Sequence, residues 1–412
     1  MRVLGMISGT SHDGIDVAIV NFTPGDEPAP GAVRAQIEHS ASTPYPAALR
    51  ERLIAALPPS RVGLDTVCEL DTEIGQEFAR AAVAAITAHG DAGYDPVDLI
   101  CSHGQTVFHW VEGGAARGTL QIGQPAWIAE ASGVPVLSDI RSADLAAGGQ
   151  GAPLVPLLDR ILLRPFVDSG LRAAALNLGG ISNATVISEG EDPVAWDIGP
   201  ANALIDAVVT DSAETTDTFD VDGALASAGT VDDELLASLL AEPYYALPAP
   251  KSSGKELFHL SYVREHLARR GTDDSGRAEP RLVDLVATLT ELTARTVSDA
   301  IRAADVDVLV SSGGGVRNPV LMRRIAELLP GVRMNTTGDL GVDSDIKEAV
   351  AFALIGWATA HGLPGNVPSC TGAAGERVLG RIEPGPSGTI PRGEGLTSMP
   401  DLSFETIDRR TA

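Results

Sequence analysis

The chain has 412 residues, 44% of them hydrophobic and 21% charged, and this length predicts two folded domains instead of one hydrophobic core. Its 30 basic and 55 acidic residues give a net charge of −25, which disfavours nucleic acid as a partner because phosphate backbones are repelled. No window has the ~18 apolar residues of a membrane span, and the N-terminus lacks a signal-peptide pattern. The three cysteines have no disulfide or zinc spacing, so we expect a soluble, cytoplasmic protein without a membrane partner.

The first half of the chain opens with a strand, a polar turn and a second strand. Apolar residues on both sides of the turn Ser8 to Gly14 alternate with small or polar ones, as in a hairpin. Helical periodicity then takes over. The predicted elements are strands at 3–7, 15–22 and 33–42, helices at 46–57 and 67–88, a strand at 98–101, a helix at 125–131 and a strand at 134–139.

A glycine-rich connector at 147–153 leads to the second half, which opens with the same strand–turn–strand pattern without a detectable sequence repeat. Strands alternating with helices predict α/β layers, and two hairpin openings predict two related mixed-sheet domains facing a cleft. The predicted elements are strands at 173–178 and 184–187, helices at 200–211, 231–241, 260–269 and 281–304, a strand at 306–310, a helix at 319–329, a strand at 332–335 and a helix at 343–361.

Three glycine-containing turns are candidates for binding phosphate. We call residues 8–14 the first turn, residues 179–183 the second turn and residues 313–315 the third turn. Glycines allow a tight backbone, and N–H groups and hydroxyls can line a phosphate, while Asp13 or Asp16 can hold a hydrated Mg²⁺. The alternative is that they are ordinary connections between strands. Neither a P-loop nor a dinucleotide-binding GxGxxG pattern is supported.

A carboxylate, Asp197, is predicted where a strand ends and a helix begins, with Pro200 in the first helical turn. It is a candidate general base for a hydroxyl or a water molecule. The alternative is a helix N-cap, which is the most frequent role for a single Asp in such a place.

Other polar residues follow a buried strand or begin a helix. Ser102, His103 and Gln105 are predicted at the carboxyl end of a strand, where a sugar hydroxyl can be bound, although a structural hydrogen bond is the alternative for His103. Arg141 has the same placement, with an ion pair to a neighbouring Asp as its alternative. Glu348 lies in the C-terminal helix, where a solvated face is the default interpretation.

Together these segments resemble the anhydro-N-acetylmuramic acid kinase family. No single segment is specific, but their order is, and the resemblance runs from Met1 to about Pro384. The segments are residues 5–16, 102–106, 119–126, 146–156, 176–183, 196–202, 250–258 and 347–352.

The resemblance implies the actin-like, sugar kinase and Hsp70-type ATPase fold: an α/β protein with two ribonuclease-H-like domains hinged about a central cleft. The first domain would comprise residues 1–145 and about 355–384. The second, at 146–354, would carry nucleotide-binding turns, and residues 385–412 would form an extended C-terminal tail.

The resemblance also implies an activity. With ATP, water and Mg²⁺, the family opens 1,6-anhydro-N-acetylmuramic acid and produces the 6-phosphate during peptidoglycan recycling. Asp197 matches the catalytic base, Asp13 would hold Mg²⁺ through water, and the family often forms homodimers. The ATP-binding residues implied are Gly9, Thr10, Ser11, His12, Asp13, Gly14, Ile15, Asp16, Gly179, Gly180, Ser182, Asn183, Gly313, Gly314 and Gly315. The substrate-binding residues implied are Ser102, His103, Gln105, Gln121, Arg141 and Glu348.

Three departures from the family pattern keep other functions open. His12 stands where the family usually has Leu, and Ala201 replaces a common Gly. Residues 139–144 contain the single Arg141 where the family has several consecutive arginines, which weakens the case for the lactyl carboxylate of muramic acid. A levoglucosan-type kinase acting on a neutral anhydro sugar is therefore the first alternative. A non-enzymatic sugar or nucleotide sensor on the same fold is the second.

Overall fold

The computed structural model describes residues 1–9, 11–25, 31–249, 251, 253, 257–270, 280–393 and 395–405. Thr10 therefore lies outside the described residues, as do residues 250, 252 and 254–256 of the segment 250–258 and residues 394 and 406–412 of the predicted tail. The chain divides into two compact units. Unit 1 comprises Met1–Leu162 and Leu340–Ala412, and unit 2 comprises Leu163–Asp339.

The strands within the described ranges include every predicted strand and three that were not predicted, at residues 115–122, 381–383 and 402–404. They are β1 (Arg2–Ser8), β2 (Gly14–Pro24), β3 (Val33–Pro44), β4 (Leu99–Glu112), β5 (Ala115–Ile122), β6 (Val136–Ser138), β7 (Ala173–Leu178), β8 (Ile181–Ile187), β9 (Val194–Pro200), β10 (Val308–Ser312), β11 (Arg333–Thr336), β12 (Arg381–Glu383) and β13 (Leu402–Phe404).

The α-helices of the same ranges include every predicted helix. They are α1 (Ala47–Ala56), α2 (Leu64–Asp91), α3 (Pro125–Ser132), α4 (Ser142–Ala146), α5 (Pro156–Val167), α6 (Asn202–Asp211), α7 (Ala224–Ala228), α8 (Asp233–Leu240), α9 (Leu260–Arg270), α10 (Leu282–Ala303), α11 (Pro319–Leu328), α12 (Lys347–Ala360) and α13 (Pro368–Thr371). None of the helices so described is both long and apolar enough to cross a membrane.

Each unit contains its own sheet, and the two sheets have the same arrangement of strands. In unit 1 the order is β3-β2-β1-β4-β6, with β2 antiparallel to both neighbours and β1, β4 and β6 parallel. In unit 2 the order β9-β8-β7-β10-β11 repeats this arrangement, with β8 as the antiparallel strand. Both are mixed α/β sheets opened by a hairpin. This confirms the predicted fold class of two ribonuclease-H-like domains.

Each sheet carries additional strands or helices. In unit 1, β12 and β13 extend the two ends of the sheet, and β5 pairs with the distal part of β4. In unit 2, α10 packs against α6, α7, α8 and α11 and encloses an apolar core with β7, β8 and β10. The parallel strands of each sheet, β1, β4 and β6 in unit 1 and β7, β10 and β11 in unit 2, have their carboxyl ends at the same side of the sheet.

The boundaries of the two compact units differ from the predicted domain boundaries. Residues 146–162 and 340–354, assigned by sequence to the second domain, belong to unit 1. The reason is helix α12, which lies against β1, β2 and β4 although it follows the second sheet in the chain. The segment 385–412, predicted as an extended tail, contributes β13, whose Leu402 is buried beside β3.

Two local predictions differ from the structure. Ser102 to Thr106 do not end their strand, because β4 continues to Glu112 and pairs with β5, a strand the sequence did not suggest. Gly104, at φ +72°, supplies the irregularity that allows this continuation. Helix α5 was also not predicted.

Helix α12 sits directly on β1 because Gly5 has no side chain. A Cβ atom built at Gly5 would lie 1.9 Å from the carbonyl oxygen of Ala349 and 2.5 Å from the amide nitrogen of Ala353. Both are backbone atoms of α12, so neither can rotate away. On the same helix Gly356 approaches Cys101 and Val3, where a Cβ would lie 2.9 Å from each side chain.

This contact predicts that Gly5→Ala destabilises unit 1 by about 3 kcal/mol, because the added methyl group forces α12 away from the sheet. Urea denaturation measures the change. Gly90→Ala is the matched control, since Gly90 is an exposed residue of α2 with no atom within 4 Å of a built Cβ. It should raise stability by about 0.5–1 kcal/mol, as expected inside a helix. Equal stability of Gly5→Ala and the wild type would contradict the described packing.

Candidate active site

In unit 1 the first turn is held by a buried glutamine. Gln105 is fully buried, and its Oε1 accepts a 2.6 Å hydrogen bond from Ser8 Oγ, while its Nε2 donates to the carbonyl oxygen of Gly9. The parallel pairing of β1 and β4 brings Ser8 opposite Gln105. Gln105, predicted as a substrate ligand, thus lies beneath the first turn and holds its residues Ser8 and Gly9 in place.

Hydrogen bonds of Ser11 and His12 shape the described remainder of the first turn. The Ser11 hydroxyl donates to Asp13 at 2.7 Å, and His12, at φ +55°, presents its carbonyl oxygen to Arg50. Gly14 permits close contact with β3, since a Cβ there would lie 2.5 Å from the carbonyl oxygen of Thr43. Ile15, assigned to ATP binding, is buried in the core of unit 1 and can offer only its backbone.

Acidic residues gather beside this turn. Desolvation raises the pKa of the half-buried Asp16 carboxyl, a hydrogen bond from Ser42 opposes this rise, and the charges of Asp13 and Asp345 add to it. Desolvation likewise raises the pKa of Glu348, while the positive charges of Arg141 and Lys347 lower it. Glu348 as a whole residue is nevertheless exposed to solvent, so a ligand can approach it.

These oxygen atoms suit Mg²⁺. Within the described ranges no group of three or more His, Cys, Asp or Glu side chains converges as a metal site. Magnesium seldom needs such a group, because it retains several waters and is held by one or two carboxylates together with phosphate oxygens. Asp13 and Asp16 provide that minimal set, and a cation would relieve their mutual repulsion.

Arg141 is anchored by a neutral histidine. Its Nε and Nη2 lie 3.0 and 2.8 Å from His103 Nε2, and its Nη1 donates to the carbonyl oxygen of Gly151 at 2.6 Å. Burial, reinforced by the charge of Arg141, lowers the pKa of His103 to about 3. A neutral His103 whose Nδ1–H donates to the carbonyl oxygen of Gly104 leaves Nε2 as the acceptor for Arg141. The structural interpretation of His103 is therefore favoured over a catalytic base.

The guanidinium of Arg141 stays charged at neutral pH, because burial lowers its pKa only to about 10. It makes no direct ion pair with Asp139 or Asp144 among the described contacts, contrary to the alternative suggested by sequence. Three of its five N–H groups donate to His103 and Gly151. One N–H on each terminal nitrogen has no acceptor in the described part of the chain.

The glycine-rich connector at 147–153 contacts a fully buried carboxylate, that of Asp144. Asp144 is fully buried and accepts hydrogen bonds from Gly151 N at 2.8 Å and from Asn366 Nδ2 and Thr371 Oγ1 at 2.7 Å each. Since Gly151 also accepts from Arg141, Asp144 supports the arginine indirectly. Sequence gave no role to Asn366 or Thr371 and suggested Asp144 only as an ion-pair partner of Arg141, because the distance along the chain hides this contact.

Two other predicted sugar ligands occupy β4 and β5. Ser102 is buried, and its hydroxyl oxygen has no hydrogen-bond partner among the described residues. Gln121 is half-buried, and its Nε2 donates to Thr106 and Thr119 hydroxyls at 3.0 and 2.7 Å. The structure places these residues in one sheet region without showing what they bind.

In unit 2 the second and third turns meet at one sheet edge. β7 and β10 are parallel, and Asn177 lies opposite Ser312, so both chains leave the sheet at the same level. Gly313, at φ +83°, passes so close that a Cβ would lie 2.5 Å from the Asn177 side chain and 2.9 Å from Leu178. Asn202 Nδ2 donates to the carbonyl oxygen of Leu178 and stands between the two turns.

The second turn is shorter than predicted. Ser182 and Asn183 belong to β8, and Ser182 is buried with its hydroxyl donating to the carbonyl oxygen of Gly199. The open part of the turn is Gly179 and Gly180, whose carbonyl oxygens accept hydrogen bonds from the first residues of α6. In the third turn Gly314 is exposed, whereas Gly315 is buried against Leu178.

Asp197 lies within strand β9, opposite Asn183, and is not an N-cap. Pro200 is the last residue of this strand, not the first turn of a helix, and α6 begins at Asn202. The sequence prediction missed this because proline is tolerated at a sheet edge, and β9 is an edge strand.

The carboxylate of Asp197 is held by backbone. Its Oδ2 accepts a 2.9 Å hydrogen bond from Ser253 N, and its own carbonyl oxygen accepts one of 2.8 Å from the Tyr244 hydroxyl. The hydrogen bond from Ser253 N gives the carboxylate a defined orientation. Sequence did not reveal Tyr244, and it gave Ser253 no role although Ser253 lies in a family-like segment.

Comparison with known proteins gives consistent results along the chain. The family model "Anhydro-N-acetylmuramic acid kinase" matches residues 1–385. A protein of that name from Streptomyces coelicolor is 51% identical over 402 residues, covering 95% of this chain and 98% of the relative. Another from Rhodococcus erythropolis is 48% identical over 407 residues, covering 97% of each. Both similarities extend over nearly the full length of the chain.

Similarity to solved structures is weaker. A ROK family glucokinase from Streptomyces griseus in complex with glucose and AMPPNP is 14% identical, with a TM-score of 0.34, covering 87% of this chain and 99% of that one.

The raised pKa of Asp16 predicts a stability that depends on pH. An acid with a higher pKa in the folded state binds more protons there than in the unfolded state, so stability falls as pH rises through the interval between the two values. Asp16→Asn removes this penalty and keeps an acceptor for Ser42. We expect the variant to exceed the wild type in stability at neutral pH, with the difference vanishing in acid.

Chemical denaturation between about pH 4 and pH 7 measures this difference. Glu51→Gln is the control, because Glu51 is an exposed residue of α1 for which no side-chain contact is described. If the free energy of unfolding of Asp16→Asn runs parallel to that of the wild type at all pH values, the raised pKa of Asp16 is contradicted.

Proposed function

Because the chain belongs to the anhydro-N-acetylmuramic acid kinase family, we propose that it is an ATP-dependent kinase of a 1,6-anhydro sugar. The substrate is 1,6-anhydro-N-acetylmuramic acid, and the product is N-acetylmuramic acid 6-phosphate. The observation that carries this proposal is the full-length match to relatives of that name. The reaction takes place in the cytoplasm, where ATP is available, and serves peptidoglycan recycling.

The chemistry requires water as well as ATP. An anhydro sugar has no free 6-hydroxyl, since O6 is bonded to C1. Water attacks C1 and loses a proton to the base, the C1–O6 bond breaks, and O6 forms a bond to the γ-phosphorus as ADP leaves. An inverting glycosidase uses a base-activated water in the same way, but here the phosphoryl group takes the place of the general acid.

Unit 2 supplies the base. Asp197 is half-buried, and the Ser253 N–H fixes one of its carboxylate oxygens, so the side chain has a defined orientation before water arrives. The second and third turns provide glycine backbone for ATP, through Gly179, Gly180 and Gly314. Asn183, opposite Asp197, contributes a polar side chain next to the base.

Unit 1 supplies the first phosphate turn and sugar ligands. Gly9, Ser11 and Asp13 offer N–H, hydroxyl and carboxylate groups on a turn that Gln105 holds in place. Mg²⁺, held through water by Asp13 beside Asp16, offsets negative charge on the phosphate oxygens when it is bound. We assign Glu348, an exposed residue at the start of α12, the role of accepting hydrogen bonds from sugar hydroxyls.

Arg141 favours the muramic acid sugar over a neutral one. Muramic acid carries a lactyl carboxylate, and the two N–H groups of Arg141 that have no described acceptor lie on different nitrogens of one planar guanidinium. Such a pair suits the two oxygens of a carboxylate. His103 and Gly151 fix the guanidinium, which reduces the entropy lost when the ligand binds. A single well-held arginine can therefore bind the lactyl carboxylate.

We expect Asp197→Asn to abolish detectable product, a loss of at least ~10²–10⁴-fold in kcat, because the amide cannot take a proton from water. ATP affinity should stay within about twofold, since Asp197 acts on the sugar. Coupled detection of ADP and sugar phosphate measures turnover, and calorimetry measures ATP binding. Asp192→Asn, an exposed change before the same strand, is the control.

Wild-type turnover by Asp197→Asn would remove the proposed base. A wild-type protein that binds sugar and ATP but forms no product would support the sensor alternative.

For the substrate, we expect kcat/KM for 1,6-anhydro-N-acetylmuramic acid to exceed that for levoglucosan by at least ~10–100-fold, the size of one charge-assisted pair. Arg141→Met should reduce this ratio by lowering the muramic acid value more than the levoglucosan value. A larger kcat/KM for levoglucosan in the wild type would favour the levoglucosan-type kinase.

A further inference from the structure

The edge of strand β9 is covered at Asp197 by a short backbone segment. The Asp197 N–H donates to the carbonyl oxygen of Lys251 at 2.9 Å, and Ser253 N donates to Asp197 Oδ2 at 2.9 Å. We call Lys251 and Ser253 the strap. The strap therefore holds both the main chain and the carboxylate of the proposed base.

A lysine ammonium fixes the strap in turn. Lys251 Nζ donates to the carbonyl oxygens of Tyr244 and Tyr245 at 3.0 Å each, and it lies 4.6 Å from the centre of the Tyr244 ring. Desolvation lowers the pKa of Lys251. The chain has only three lysines against 27 arginines, and this one points its charge at carbonyl oxygens and an aromatic face.

Tyr244 contacts both Lys251 and Asp197. Its hydroxyl donates to the carbonyl oxygen of Asp197 at 2.8 Å, and its buried ring packs edge-on against Phe258. Three groups are thus connected: Asp197 to the strap, the strap through Lys251 to Tyr244, and Tyr244 back to Asp197. Gly199 is part of the arrangement, because a Cβ there would lie 2.8 Å from the Tyr245 ring.

We propose that Lys251 and Tyr244 are positioning residues for Asp197. They hold the strap so that the Ser253 N–H aims the carboxylate at the attacking water. This rests on the proposed function, in which Asp197 is the base. A base that is misplaced by about 1 Å can lose ~10²-fold in rate, so support at this distance from the reacting atoms has a measurable effect.

The test compares Lys251→Met, Lys251→Arg and Tyr244→Phe in the full-length protein. Lys251→Met keeps the apolar stem and removes all donors, so kcat should fall ~10–100-fold while the KM for ATP stays within about twofold. Lys251→Arg keeps the charge and donors and should recover most of the loss. Tyr244→Phe removes only the hydroxyl and should lower kcat ~3–10-fold, the size of one hydrogen bond.

The pH profile separates positioning from general weakening. Without the Ser253 N–H a carboxylate holds its proton more tightly, so the acid limb of kcat/KM should move to higher pH in Lys251→Met. Tyr262→Phe is the matched control. It belongs to the same aromatic cluster, but its hydroxyl donates to Leu239, and its kcat and acid limb should match the wild type.

The outcomes are distinguishable. If Asp197→Asn is inactive while Lys251→Met and Tyr244→Phe keep the wild-type kcat and acid limb, the positioning role is wrong and the proposed function stands. If Asp197→Asn itself turns over normally, Asp197 is not the base and the positioning role is wrong as well, while the kinase activity stands. A fall in kcat that is equally large in Tyr262→Phe would assign the effect to the aromatic cluster and overturn the role of Lys251.

Discussion

Parallel pairing next to a hairpin is the constraint on which both candidate sites depend. When β1 lies beside β4 and β7 beside β10, each pair leaves its sheet at the same edge, so turns far apart in sequence become neighbours. Gln105 can reach Ser8 for this reason, and Gly313 can touch Asn177. Gly313 and Gly315 follow from the crowding at that edge, because a Cβ at either would lie within 3 Å of Asn177 or Leu178.

Much of this architecture could be read from the sequence. Alternating apolar residues placed the central strands of both sheets, and helical periodicity placed α2, α10 and α11 within a few residues. The elements that were missed have weak local patterns. β5 is a hairpin strand exposed on much of its surface, and α5 contains Pro165, which argues against a helix in sequence alone.

The sites were predictable in part only. Residues that lie next to each other in sequence, such as those of the first turn, could be proposed from their glycines and carboxylates. Support from distant residues could not, because nothing local marks Asp144 as the partner of Asn366 and Thr371. The position of Asp197 inside β9 was hidden for another reason: an Ile-Gly-Pro sequence suggests a turn, although proline is acceptable on an edge strand.

Helix α12 also has a consequence for motion in unit 1. Every residue from Ala349 to Ala358 is buried, so its amides can exchange with solvent only when the sheet itself opens. Glu348 lies one residue before this buried stretch, so the sheet fixes its backbone position while its side chain stays exposed. The distal hairpin of β4 and β5, with Trp110 and Val111 exposed, belongs to the opposite extreme of local stability.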